Sequence, residues 1–231
     1  MDIMKSLLVI SDTHFDKRVD ERKLNKIIEL INKYDRVILL GDFWDQLHIS
    51  ADEFLSLGEM QPLFRVLKSK NCLYLYGNHD PVIEKNYSKF YAFCDEIQYH
   101  YSEKIGEYTY HFEHGDLLVE NHKSWLNKIL DFVVINYIGK RFFSRFVNKV
   151  FSFMMHFTHG KNLFGKSWNE KILSNIESND QYKGKILVCG HTHFQHDYKS
   201  YINIGANLDR YLQYLVINEN GYKLYNEKLV N

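Results

Sequence analysis

Five short clusters in this chain carry residue types that hold cations and move protons. They are Asp12-Thr13-His14, Gly41-Asp42-Phe43-Trp44-Asp45, Gly77-Asn78-His79-Asp80, His114-Gly115-Asp116 and Gly190-His191-Thr192-His193. Together they supply carboxylates, imidazoles and one amide carbonyl, without a thiolate. Such a mixed nitrogen and oxygen set suits manganese, iron, zinc or nickel. In Asp12-x-His14 and His191-x-His193, residues one apart on an extended segment point the same way and can grip one ion. The glycines at 41, 77, 115 and 190 permit turns that bring backbone close to an ion. Singly, each residue has an ordinary explanation: Asp12 as a helix cap, Asp42 as a turn aspartate, His191 and His193 as solvated turn residues. Those explanations would have to hold together at seven positions, and the joint reading is cation binding.

The elements that must position these clusters are legible as apolar runs. Leu7 to Ile10, Val37 to Leu40, Cys72 to Tyr76 and Ile186 to Cys189 are strand-sized, and Tyr108 to Phe112 alternates with period two. Leu24, Ile27, Ile28 and Ile31 follow helical spacing, as does Phe54 to Leu67 with Pro62 as its break point. This strand–helix–strand rhythm predicts parallel pairing through right-handed crossovers. It also puts the clusters at the carboxyl ends of strands, where open α/β sheets place their ligands. Tyr201 to Ile204, Tyr211 to Ile217 and Tyr222 to Tyr225 are expected to form a closing antiparallel set, with Asn220-Gly221 as a hairpin turn.

Composition bounds the function. A chain of 231 residues is expected to form a single domain, 1–231, with an insertion. Its 45% apolar and 25% charged content excludes a disordered or fibrous protein. Lysine plus arginine and aspartate plus glutamate each total 29, so no chain-wide field for nucleic acid is expected. Cys72, Cys94 and Cys189 are odd in number and without CxxC spacing, which predicts buried free thiols. No secretory leader or run of about 18 apolar residues is evident, and the expectation is a cytoplasmic protein. Residues 121–169 differ from the rest: they carry a net charge of +7 and eleven aromatics, among them Phe142, Phe143 and Phe146. That segment reads as a helical insertion. It is open to three roles: a solvated amphipathic pair, a substrate lid, or a surface that touches a membrane peripherally.

The five clusters, in this order and each after a predicted strand, resemble the calcineurin-like metallophosphoesterase superfamily, whose pattern is D-x-H, G-D-x-x-D, G-N-H-D/E, H and G-H-x-H. The match spans residues 12 to 193. The resemblance implies a four-layer α/β sandwich: two central mixed sheets flanked by helices. It implies two divalent metal ions, manganese first among the candidates. Asp12, His14 and His193 would hold one ion, Asn78, His114 and His191 the other, and Asp42 would bridge them. A hydroxide shared by the ions would attack phosphorus in line. His79 would protonate the leaving oxygen or stabilise phosphoryl charge, and Asp80 would orient its imidazole. Asp45 would fix the loop, and His196 and Asp116 lie close enough to the clusters to take part.

Within the superfamily the chain is similar to the UDP-diacylglucosamine hydrolases, which cleave a pyrophosphate and use manganese. The likeness rests on His114-Gly115-Asp116 and on the position and character of the insertion, whose Arg141 and Arg145 would meet substrate phosphates. His79 stands where those hydrolases typically carry arginine. The alternatives are a general phosphodiesterase or nucleotide phosphohydrolase and a non-catalytic scaffold. A scaffold needs none of the ligands that are present here.

Overall fold

Residue alternation along the strands builds the layers. In the computed structural model, which describes residues 6–45, 48–80, 89–120, 163–208 and 211–229, β1 (Leu7–Ile10) sends Leu8 and Ile10 to one face and Leu7 and Val9 to the other. In β2 (Arg36–Leu40), Val37 and Leu39 share the first face while Ile38 and Leu40 share the second. Both faces are apolar, so the sheet must be covered on both sides. Three helices cover the first face: α1 (Glu21–Asn32), α2 (Ala51–Leu55) and α3 (Gln61–Ser69). A second sheet covers the other.

The first sheet contains β3 (Leu73–Leu75), β4 (Glu96–Gln98), β10 (Tyr211–Asn218) and β11 (Gly221–Lys228), in the order β11-β10-β1-β2-β3-β4. Strands β1 to β4 run parallel, as expected, and β10 joins β1 antiparallel with Leu7 opposite Ile217. The second sheet holds β5 (His100–Ile105), β6 (Tyr108–Glu113), β7 (Ile186–Cys189), β8 (His196–Asp197) and β9 (Tyr201–Asn203), ordered β5-β6-β7-β9-β8. Tyr110, Phe112, Val188 and Ile202 meet the first sheet in a shared core. On its outer face, α4 (Asp116–Glu120) and α5 (Leu163–Glu177) pack Leu118, Ile172 and Ile176 on Leu187, Cys189 and Tyr201. The result is the four-layer sandwich of two mixed sheets between helices.

Two expectations are corrected. The run from Tyr201 does not join the closing antiparallel set: β9 lies parallel to β7 in the other sheet, with Leu187 opposite Tyr201. Its apolar alternation fits either sheet, so pattern alone could not assign it. The helix expected across 54–67 is two helices separated by a 3₁₀ turn at Gly58–Met60. Pro62 does not break it; the proline sits in the first turn of α3, where a missing N–H costs nothing. The expected β10–β11 hairpin forms, but its turn is Glu219–Asn220, one residue earlier than expected, because Gly221 already pairs with Asn218 as the first residue of β11. All three cysteines are buried free thiols. Among the described residues, no helix is long and apolar enough to cross a membrane. Residues 121–162, most of the expected insertion, lie outside the described residues, as do Arg141 and Arg145.

Candidate metal centre

The loops that follow β1 and β2 extend the ladder past the strands. The Asp12 N–H donates to the Gly41 carbonyl at 3.1 Å, His14 to Asp42 at 3.0 Å and Phe15 to Phe43 at 3.0 Å. Helix α1 anchors the first loop from behind, where the buried Lys23 ammonium donates to the Thr13 carbonyl at 2.7 Å. The β6 and β7 loops are tied in the same way, by the Gly190 N–H to the His114 carbonyl at 3.1 Å. Four of the five loops thereby bring their polar side chains to one point.

The backbone there is unusual. Asp12, His14, Asp42, His191 and His193 all have φ between 44° and 63°, the left-handed region that side-chain-bearing residues seldom adopt. Only Asn71 and Lys199 share it among the described non-glycine residues. Strain concentrated at one place is held by its surroundings and marks a functional constraint. Close approach adds to it. A Cβ on Gly190 would fall on Ser11 and Asp12, and one on Gly77 would fall on the Asp42 carboxylate.

The donor atoms converge tightly. His193 Nε2 lies 3.0 Å from Asp12 Oδ1, and His14 Nε2 lies 3.3 Å from His193 Nε2 and 3.9 Å from Asp12 Oδ1. Asp42 Oδ2 sits 3.8 Å from His14 Nε2 and 3.2 Å from His114 Nε2. Three groups result among the described residues, Asp12–His14–His193, Asp12–Asp42–His114 and His14–Asp45–His79, each with its donor atoms within 4.8 Å of one another. The His191 ring meets the His114 ring edge-on at 5.2 Å. Asn78 occupies the exposed tip of the β3 loop.

Charge matches this geometry. Asp12 and Asp42 are fully buried, which opposes ionisation, yet neighbouring histidines hold both carboxyls below the usual range: His193 and His114 for Asp12, His114 and His14 for Asp42. Burial holds His14 down to about 4 and His191 to about 3, so both present neutral imidazole lone pairs. His114 Nδ1 is 2.9 Å from the Leu40 carbonyl and its buried Nε2 has no hydrogen-bond partner, an orphaned donor atom aimed at Asp42. Two buried carboxylates ringed by imidazole nitrogens at these separations fit divalent cations.

Asp80 and Asp45 exchange the parts the sequence suggests. Asp80 does not face the His79 imidazole. Its Oδ2 accepts from the N–H groups of Asp42 (3.0 Å) and Gly77 (2.7 Å), and its Oδ1 accepts from the Tyr74 hydroxyl. Burial and the nearby Asp42 charge push it up to about 7. Asp45 is the carboxylate beside His79, with Oδ1 3.5 Å from Nδ1, while its Oδ2 lies 2.7 Å from His48 Nδ1. Burial opposes a charge on His79, but Asp45 and Asp42 outweigh it and raise its pKa. The His79 ring also meets the His14 ring at 4.9 Å. His196 is exposed, and its ring lies against the Tyr198 ring at a tilt of 49°. Asp116 begins α4, and burial raises its pKa.

Sequence reading passed over the asparagines that hold the loops. Buried Asn207 donates to the Ser11 carbonyl, and its own N–H bonds the Asp12 carbonyl at 3.0 Å. Buried Asn203 donates to the Gly190 carbonyl at 2.6 Å. Asn203 lies inside the Tyr201 to Ile204 run and ends β9, and Asn207 follows that run, a position shared with the recognised clusters.

Solved structures similar to this chain include an archaeal phosphodiesterase, at 15% identity over 96% of this chain and 99% of that one with a TM-score of 0.45. Vacuolar Protein Sorting 29 from Cryptosporidium parvum matches at 15% identity over 100% and 94%, TM-score 0.47. The phosphoesterase Yfce from E. coli matches at 11% identity over 97% and 100%, TM-score 0.45. A search of curated proteins finds no match. The family model described as calcineurin-like phosphoesterase matches residues 5–195, and the chain belongs to that family of metal-dependent phosphoester hydrolases.

Proposed function

We propose that this chain hydrolyses a phosphodiester or pyrophosphate bond with two divalent ions, manganese first among them. Asp12, His14 and His193 hold one ion, Asn78, His114 and His191 hold the other, and Asp42 lies between. The observation that carries this reading is the convergence of Asp12 Oδ1, Asp42 Oδ2 and the Nε2 atoms of His14, His114 and His193. When bound, the ions supply a water nucleophile ionised near neutral pH and neutralise charge on phosphorus. The protein residues do the rest. Asp42, charged and with Oδ2 3.8 Å from His14 Nε2 and 3.2 Å from His114 Nε2, would fix the spacing of the two donor sets. His79 would deliver a proton from Nε2 toward the leaving oxygen, and Asp45, on the Nδ1 side, raises the pKa of the imidazole and so favours its protonated form. Asp80 keeps the Asp42 amide in place.

The substrate is a phosphorylated small molecule, and its finer identity leans to a nucleotide-linked lipid such as UDP-diacylglucosamine. Support comes from the +7, phenylalanine-rich character of 121–169, which offers cations to phosphates and apolar side chains to acyl groups or a membrane surface. The test is hydrolysis by the manganese-loaded chain of UDP-diacylglucosamine beside simple phosphodiesters and nucleotides. Preference for the lipid nucleotide with UMP released is expected, and replacing Phe142, Phe143 and Phe146 by alanine should weaken it selectively. Activity on simple diesters alone overturns the lipid reading and keeps the dimetal one.

A further inference from the structure

The imidazoles of His114, His191 and His193 are not oriented alike. His114 is fixed by the Leu40 carbonyl at Nδ1, the nitrogen away from Asp42, whereas His193 meets Asp12 through Nε2, the nitrogen that faces the donor set. Metal-binding histidines ordinarily have their ring plane set by such a carbonyl or carboxylate on the far nitrogen. His191 has no hydrogen bond from its ring among the described residues. Its ring plane is instead set by an indole: Trp168 stacks on it with centroids 5.7 Å apart and planes 11° from parallel, while His114 closes the edge.

Trp168 does not stand alone. The next residue of α5, Asn169, is fully buried and grips the same loop. Its Oδ1 accepts from the Thr192 hydroxyl at 2.7 Å and the Tyr201 hydroxyl at 2.8 Å, and its Nδ2 donates to the Phe194 carbonyl at 2.9 Å. Thr192 lies between His191 and His193, and Phe194 follows them. Asn169 therefore brackets the histidine pair, while Trp168 faces one of its rings.

We infer that Trp168 is the positioning residue for His191, taking by stacking the orienting part that a hydrogen bond takes at His114, and that Asn169 fixes the backbone of the His191–His193 loop. The inference rests on the dimetal reading above. It divides the two residues. Removing the indole should disturb one donor set, the one containing His191. Removing the Asn169 amide should disturb both, because His191 and His193 serve different sets.

The test is manganese binding to the metal-stripped full chain by titration calorimetry, with melting temperature recorded in parallel. For Trp168→Ala the weaker or stronger of two binding events should lose about tenfold in affinity, the range expected when an orienting partner is removed, while the other event stays as in the wild type. Trp168→Phe, which keeps an aromatic face, should stay within about threefold of the wild type. Trp168 is only half-buried, so the metal-free melting temperature of both variants should change little. Asn169→Ala should weaken both events. Wild-type affinities at both sites in Trp168→Ala overturn the inference, as does an equal loss in Trp168→Ala and Trp168→Phe. A loss at both sites together with a lowered metal-free melting temperature in Trp168→Ala also overturns it, since the indole would then only support the fold. A wild-type chain that binds no divalent ion overturns the dimetal reading and this inference with it.

Discussion

The carboxylate of Asp80 accepts a hydrogen bond from the backbone N–H of Asp42 at 3.0 Å, so one aspartate holds the turn that presents the other. Replacing Asp80 by alanine leaves the Tyr74 hydroxyl and the Asp42 and Gly77 amides without their buried acceptor. At about 1–3 kcal/mol for each unsatisfied group, the loss should reach roughly 3 kcal/mol or more in urea unfolding. Asp80→Asn, close in shape to the neutral acid, should lose clearly less. Equal losses would show that the carboxyl acts only by filling space.

His79 and Asp45 should behave as one unit. His79→Ala is expected to lower kcat by about 10²- to 10⁴-fold while metal content stays near normal. Asp45→Asn should lower it less, and the double variant should be no worse than His79→Ala. Additive losses measured by steady-state kinetics would separate Asp45 from the proton transfer.

Gly190→Ala places a methyl group on Ser11 and Asp12. Overpacking of this kind costs about 1–3 kcal/mol, and here it displaces Asp12 as well. Calorimetric melting should show the destabilisation, and metal analysis a lowered content. A variant with normal melting and metal content would mean the loop is looser than its hydrogen bonds indicate.

Divalent ions should stabilise the chain by binding only its folded form, by about 2.7 kcal/mol at 100 times the dissociation constant. A chelator should reverse the rise in melting temperature. In Asp42→Ala the rise should vanish along with hydrolysis. A full shift in that variant removes Asp42 from its place between the donor sets.

His111 gives a pH dependence separate from the candidate centre. Burial, with Lys185 and His100 nearby, holds its pKa down to about 4 from an ordinary 6.5, so it is neutral in the folded chain. The unfolded chain binds the extra proton between those values. Stability contributed here is fully present above about pH 6.5 and is lost as pH falls toward about 4, by up to roughly 3 kcal/mol. His111→Gln should flatten that part of the urea-measured stability profile.

Much of this arrangement was legible because burial on both faces writes a strand as an unbroken apolar run, and the polar cluster after each run marks its carboxyl end. Strands β1, β2, β3 and β7 announce themselves in that way. Strands β4 and β5 do not: Glu96–Gln98 is short, and His100–Ile105 is largely exposed and polar, so neither carries an apolar run. Side-chain direction was also hidden. Asp80 follows His79 in sequence, yet the turn aims it at the Asp42 amide and leaves Asp45, 34 positions before His79, beside the imidazole. Trp168 lay in the region read as an insertion, where nothing in its neighbours pointed to a histidine 23 positions on.

The pairing of Leu7 with Ile217 has a consequence for how the protein comes into being. Strand β1 lies at the middle of its sheet, but its β10 neighbour is made some 200 residues after it. During synthesis the helices and the parallel strands β1 to β3 can gather early, while one edge of β1 stays open until β10 leaves the ribosome. Asp12 and His193, 3.0 Å apart in the folded chain, meet comparably late. A non-local closure of this kind folds slowly and exposes an apolar edge meanwhile, so a nascent chain stalled before residue 211 should be a chaperone client with an incomplete β1 edge.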